Sequence, residues 1–260
     1  MILDIWNDLR KKSFRILMFH SIADNSSYQF STPPETFYRM MRYLADNSFK
    51  VLPLERALAE GDGKTAVITF DDAYTDNLET AAPILAEFAF KATFFVPTAL
   101  VGQTNTWEND AHGQSLAILD WEGLDRLREL GHEIGAHTAS HVNLREVIDK
   151  ATLEWEIDYP FKALRSKLGI KRVSLAYPYG QQNPVIRKRA EKVGYYAGII
   201  AGGFWGNPPG IDPFLLRREG ITRLTGLDDF AAMVEGAANP RYLKFGYRYF
   251  IESFAGGGNK

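Results

Sequence analysis

Two adjacent carboxylates, Asp71 and Asp72, end a run of strand-forming residues in the segment VITFDDAYTDN (67–77). Neighbouring acids at the end of a buried strand cannot both ionise cheaply unless a cation lies beside them. A second pair, His137 and His141 in GAHTASHVNL (135–144), has the four-residue spacing that puts two imidazoles on one side of a helical turn. Read singly, each pair has an ordinary explanation. Asp72 or Asp76 could cap a following helix, and His137 could be a hydrogen-bonded core histidine with His141 at the surface. Read together, the pairs complement each other. Two neutral imidazoles and one carboxylate make a three-ligand metal site with positions left for water and substrate. The cation would neutralise one acid. The other would then be free to act as a base on bound water, whose pKa falls toward ~7 on a catalytic zinc. The order D-D-A-Y-T-D does not supply the DxD of a haloacid dehalogenase, and the glycine and terminal glutamate of an EF-hand loop are missing.

These residues must be positioned by the elements around them. Strand-like runs at 14–19, 50–54, 65–70, 92–96, 132–137, 172–178 and 195–201 alternate with helical patterns at 33–47, 77–88, 121–130, 150–169, 184–194 and 226–237, with a polar connection at 98–119. Pro160 is expected to kink the 150–169 helix. Alternation of this kind predicts an α/β fold with a parallel sheet, and seven or so βα steps point to a barrel more than to an open sheet. Ligands gather at the C-terminal ends of strands in either case. His20, Asp71 with Asp72, His137, and Tyr177 to Gly180 all follow or end predicted strands, so four polar clusters would converge on one rim.

Composition narrows the partners. The 260 residues carry 30 basic and 32 acidic side chains, a balance that does not ask for nucleic acid. Cysteine is absent, which excludes disulfides and thiolate metal sites. The N-terminal MILDIWNDLRKKSFRILMF places acids ahead of the basic residues and has no apolar h-region, and no apolar run approaches ~18 residues. The expectation is therefore a protein that is cytoplasmic or peripheral to the inner membrane, with an extracytoplasmic location still open. Residues 1–13 read as an N-terminal extension, 14–238 as the barrel and 239–260 as a tail. The tail interleaves basic and aromatic residues in NPRYLKFGYRYFIESF (239–254). It reads as a helix covering the barrel, with weak membrane-surface contact as the alternative.

Three ordered blocks, TFDDAYTDN, GHEIGAHTASHVNL and LAYPYGQQN, resemble the motifs of the polysaccharide deacetylases of carbohydrate esterase family 4, and the segments KATFFVPTALVG and LDWEGLDRLREL resemble the family's spacers. The resemblance implies a distorted (β/α)7 barrel in a single domain. It implies Asp71 as general base, Asp72, His137 and His141 as metal ligands, and a divalent metal, with zinc favoured and nickel, cobalt and iron also fitting. Tyr179, following Pro178, would offer its backbone N–H to the oxyanion, Gly180 would allow the turn, and Thr138 would orient the metal loop. The implied partner is an N-acetylated carbohydrate, in an exopolysaccharide or cell-envelope glycan. Alternatives are a peptidoglycan or chitin fragment, a formamido sugar, a small cyclic amide, or a catalytically silent sugar-binding barrel.

Three departures stand out. Ala73 occupies a position where the family often has Gly. Ala176 occupies one where it often has Arg, leaving Arg217 or Arg218 to serve. No histidine follows His141, so the usual late acid is missing. Of His20, His112 and His132, only His20 ends a strand at the expected rim. The early MFHSI block and the Arg-less AYPYG block resemble the poly-β-1,6-N-acetylglucosamine deacetylase subgroup, which implies His20 as general acid.

Overall fold

Among the described residues eight parallel strands form one sheet, most of them short apolar runs: β1 (Arg15–Phe19), β2 (Lys50–Val51), β3 (Thr65–Phe70), β4 (Ala92–Val96), β5 (Glu133–Ala136), β6 (Ser174–Ala176), β7 (Ala197–Ala201) and β8 (Leu216–Gly220). The computed structural model describes residues 11–25, 28–105, 107, 115–202 and 206–236. Most of the N-terminal extension, His112 and the tail with its proposed helix or membrane contact lie outside the described residues. β1 pairs with β8 on one side and β3 on the other, which closes β1 and β3 through β8 into a ring of seven. The fold is a distorted (β/α)7 barrel in one domain.

The ring's membership differs from the sequence expectation. β2 lies outside it: Lys50 and Val51 pair with Thr65 and Ala66 at the foot of β3, below the stretch where Ile68 to Phe70 meet β4. Pro53 has no N–H to extend β2 as a strand, and Leu54 begins a helix, α2 (Leu54–Glu60), that the sequence pattern did not reveal. The seventh ring strand is β8, LRREG, whose three charged residues conceal its strand character. The other helices are α1 (Pro34–Asp46), α3 (Ala82–Glu87) entered through a π-turn (Asn77–Ala81), α4 (Trp121–Glu129), α5 (Lys150–Leu168), α6 (Pro184–Val193) and α7 (Leu227–Glu235). Asp120, Asp149 and Asn183 cap α4, α5 and α6 through side-chain bonds to backbone N–H groups.

Two apolar clusters flank the sheet. Ile16, Val67, Phe95, Ile199 and Leu216 belong to the smaller one. Phe19, Phe70 and Phe94 sit in the larger one with Phe37 of α1. Phe70 and Phe94 stack with ring centroids 4.7 Å apart, and Phe19 meets Phe37 edge-on at 5.0 Å. Side chains alternate across a strand. Because Phe19 and Phe70 face the helices, the next residues, His20 and Asp71, turn toward the barrel mouth.

His132 opens β5 at the opposite rim, as its position predicts. Its ring lies edge-on to Phe94 at 5.3 Å, and its Nδ1 accepts a hydrogen bond from the Ala92 N–H at 3.2 Å. Burial, with a smaller push from Lys91, lowers its pKa from 6.5 to about 4. Protonating Nδ1 would remove the acceptor. Between pH 6.5 and about 4 the unfolded chain binds a proton that the folded chain refuses. This contribution to stability is therefore complete above 6.5 and is lost as pH falls through that window. The urea midpoint is expected to fall from pH 7 to pH 5, and less steeply in His132→Gln; identical slopes would show that His132 has no part in it.

Candidate active site

Strand register gathers the candidate residues. Phe19 is level with Phe70, so His20 and Asp71 leave adjacent strands side by side, and the Asp71 N–H donates to the Phe19 carbonyl at 3.0 Å. The His137 N–H donates to Val96 O, and the Tyr177 N–H to Ile199 O, which fixes the exits of β5 and β6. One pocket at this rim is lined by His20, Phe30, Asp71, Asp72, Trp107, His137, His141, Tyr179 and Arg218.

Asp71 is buried and anionic. Arg218 Nη1 donates to its Oδ1 at 2.5 Å and Nη2 to its Oδ2 at 2.8 Å. Burial alone would raise the carboxyl pKa, but the Arg218 guanidinium, helped by His137 and His20, holds it well below the usual range. β8 thus supplies the cation that Ala176 lacks on β6. Of the two arginines considered from sequence, Arg218 reaches in.

Asp72, His137 and His141 are buried, and each offers one ligand atom within 4.8 Å of the others. Asp72 Oδ1 lies 3.4 Å from His141 Nε2 and 3.7 Å from His137 Nε2. These separations exceed hydrogen-bond length but match neighbouring ligands of one ion with bonds of about 2.0–2.2 Å. Burial lowers both imidazole pKa values, His141's further with His137 beside it. Neutral imidazoles are the form that binds a metal. His137 Nδ1 is 2.9 Å from the Ala176 carbonyl. A carbonyl only accepts, so Nδ1 carries the proton and Nε2 presents its lone pair to the cluster. The donor set fits a divalent cation.

The loops that carry these groups hold an unusual backbone. Asp72, Ala73, Thr138, His141 and Tyr179 all have φ between 50° and 69°. For a residue with a Cβ this region costs roughly 1–2 kcal/mol, so Ala73, in place of the family's frequent Gly, carries strain. Thr138 Oγ1 accepts from the His141 N–H at 3.0 Å, the orienting role expected of it. At Gly180 (φ 67°) an added Cβ would sit 2.6 Å from Ala201 N, so only glycine fits. Tyr179 beside it is 43% exposed and open to a ligand, whereas Pro178 is buried.

Two holding devices escaped the sequence reading. Glu156 on α5 is buried, and its carboxylate accepts from the Ala139 N–H (2.9 Å), the Ser140 N–H (3.0 Å) and Ser140 Oγ (2.5 Å). Its backbone carbonyl also accepts from the Ala139 N–H, at 3.1 Å. That carbonyl is available because Pro160, four residues on, has no N–H to claim it. Pro160 leaves α5 continuous and frees an acceptor for the 137–141 loop. An acid and a proline spaced i, i+4 in one helix were the available signal. The second device is the Asp76–Asn77 pair. Asp76 does not cap the helix after it. It accepts from Ser21 Oγ at 2.6 Å and the Ile22 N–H at 3.0 Å, while Asn77 Nδ2 donates to the His20 carbonyl at 2.7 Å. Together they grip the turn that carries His20. The His20 ring stacks on Phe30 at 4.8 Å. Burial, partly opposed by Asp71, lowers its pKa to about 4.

Residues 59–198, more than half of the chain, match the family described as polysaccharide deacetylase, and the chain belongs to that family. It is 30% identical over 190 residues to the Bacillus subtilis (strain 168) protein named "Putative polysaccharide deacetylase YxkH", a match covering 71% of this chain and 63% of that protein. It is 26% identical over 205 residues to the poly-β-1,6-N-acetyl-D-glucosamine N-deacetylase of Staphylococcus aureus (strain MSSA476), covering 73% of this chain and 69% of that one. Among solved structures, the Streptococcus pyogenes deacetylase PplD in complex with acetate superposes with a TM-score of 0.72 at 23% identity, over 86% of this chain and 98% of PplD. At that identity the superposition speaks to the fold alone.

Removing Arg218 would leave a buried anion without its partner. Arg218→Met is expected to lower stability at pH 7 by about 3–5 kcal/mol, with partial recovery in Arg218→Lys, which keeps the charge but not the paired geometry. Urea denaturation measures both. A loss below ~1 kcal/mol, the range of an exposed pair, would show that the barrel does not depend on this contact.

Proposed function

We propose that the protein hydrolyses the N-acetyl group of an N-acetylated sugar in a polysaccharide, of the exopolysaccharide or cell-envelope kind. The observation that carries this reading is an anionic Asp71, fixed by Arg218, in the same pocket as the three-donor cluster of Asp72, His137 and His141. A sugar-binding barrel has no use for a carboxylate kept ionised beside such a cluster. The S. aureus relative, named for a poly-N-acetylglucosamine substrate, supports the substrate class.

A divalent cation on Asp72, His137 and His141, with zinc first among the metals that suit two imidazoles and a carboxylate, would polarise the acetamide carbonyl and acidify a water. Asp71 takes one proton from the attacking water as the water oxygen bonds to the carbonyl carbon. The Tyr179 N–H stabilises the charge that develops on the carbonyl oxygen. The C–N bond then breaks, and the leaving nitrogen needs a proton. His20 rests neutral at pH 7, since burial holds its pKa at about 4. It therefore acts as an acid only after gaining a proton. The proton Asp71 removes from water is available, and His20, which lines the same pocket as Asp71, carries it to the amine in this reading. Acetate and a free amino sugar result.

Acetate release from β-1,6-linked N-acetylglucosamine oligomers, compared with chitin and peptidoglycan fragments, tests the reading. Activity is expected to vanish on chelation and return with added zinc. His20→Ala is expected to lower turnover by about 10²–10⁴-fold while metal content, measured by plasma emission, stays normal. Unchanged turnover would remove His20 from the mechanism. No acetate from any of these substrates would leave the sugar-binding barrel as the better reading.

A further inference from the structure

The two histidines of the cluster are held in different ways. His137 has its ring fixed by the Nδ1 bond to the Ala176 carbonyl. The Nδ1 of His141 is buried and, among the described residues, has no hydrogen-bond partner on another residue. What surrounds the His141 ring is aromatic. Trp107 stacks on its face with centroids 3.9 Å apart and planes 17° from parallel. His137 and Tyr179 close on it edge-on, at 4.8 and 5.1 Å. Trp107 follows a segment between β4 and α4 that is pinned by the Thr104–Ala117 bridge and by the Leu116 N–H donating to Asn105 Oδ1 at 2.7 Å.

We propose that Trp107 is a positioning residue for the second imidazole ligand, replacing with ring stacking the hydrogen bond that orients the first. The inference rests on reading Asp72, His137 and His141 as a metal centre. A ligand histidine usually donates its other ring nitrogen to an acceptor, which fixes the ring and raises its basicity. No other described residue gives His141 that restraint, so rotation about its Cβ–Cγ bond would carry Nε2 away from Asp72 unless packing prevented it. An indole lying flat against the ring prevents it from one face, and the edges of His137 and Tyr179 limit the rest. Stacking also favours the loaded state. An imidazole bound to a cation is electron-poor, and the indole face is electron-rich, so the contact strengthens when the ion arrives. Trp107 therefore contributes to metal affinity and not only to folding.

The test is zinc affinity of the metal-stripped full chain, measured by competition with a chromophoric chelator, in wild type, Trp107→Phe and Trp107→Leu. Urea midpoints identify variants that remain folded. Trp107→Leu, which keeps apolar bulk without an aromatic face, is expected to bind zinc about 10–100-fold more weakly. Trp107→Phe is expected to keep most of the affinity. Cobalt added to wild type is expected to quench tryptophan fluorescence, with much of that quenching lost in Trp107→Phe. Leucine and wild type agreeing within twofold would overturn the proposal, as would equal weakening in the phenylalanine and leucine variants. Failure of wild type itself to bind either ion would refute the metal centre and this inference with it, an outcome distinct from one confined to the variants.

Discussion

A carboxylate inside a barrel needs a cation, and Asp71 has one in Arg218, bound through both oxygens. Desolvating either group alone would cost several kcal/mol. The pair makes burial of both tolerable, and it sets the protonation state around it: Asp71 stays anionic while His20, His137 and His141 are neutral. That distribution suits a site with a base, two metal-competent imidazoles and a neutral proton carrier. The charge comes from a different strand than the family pattern suggests. A closed barrel permits this because every strand borders the same interior, so a long side chain on β8 can serve where β6 carries only Ala176.

Strain and restraint are distributed together. Five non-glycine residues of the site have left-handed backbone, a conformation that persists only when the surroundings over-determine it. Those surroundings are visible. Glu156 and Thr138 fix the 137–141 loop, Asp76 and Asn77 fix the turn after β1, and a glycine pressed against β7 fixes the turn after β6. None of these groups needs to touch substrate. Each removes freedom from one that would.

The sequence carried the site better than the fold's details. Strand ends are legible as β-forming runs that stop at polar clusters, and His20, Asp71, Asp72, His137 and Tyr179, which follow such ends, line one pocket. β8 is legible only as a later strand carrying Arg217 and Arg218, and not as a member of the ring, because a run rich in Arg and Glu looks exposed until Arg218 is seen paired inside with Asp71. The segment 50–54 looked like a ring strand because its apolar pattern says nothing about how far pairing extends. Glu156 was hidden for another reason. Two of its three donors are backbone N–H groups seventeen and sixteen residues away, and backbone donors leave no trace in residue type. Trp107 reads only as one aromatic in a polar connection, since stacking partners have no fixed spacing.

Proline at position 160 has a consequence for how this chain can change in length. The carbonyl and the carboxylate that hold the 137–141 loop belong to one residue, and the carbonyl is open only because the imino acid sits one helical turn later. Inserting or deleting a single residue between 156 and 160 would close one acceptor and open another facing a different direction. The interval from the loop to the proline is therefore a ruler that must be inherited whole, while the outer end of α5, from 161 to 168, carries no such constraint from the loop.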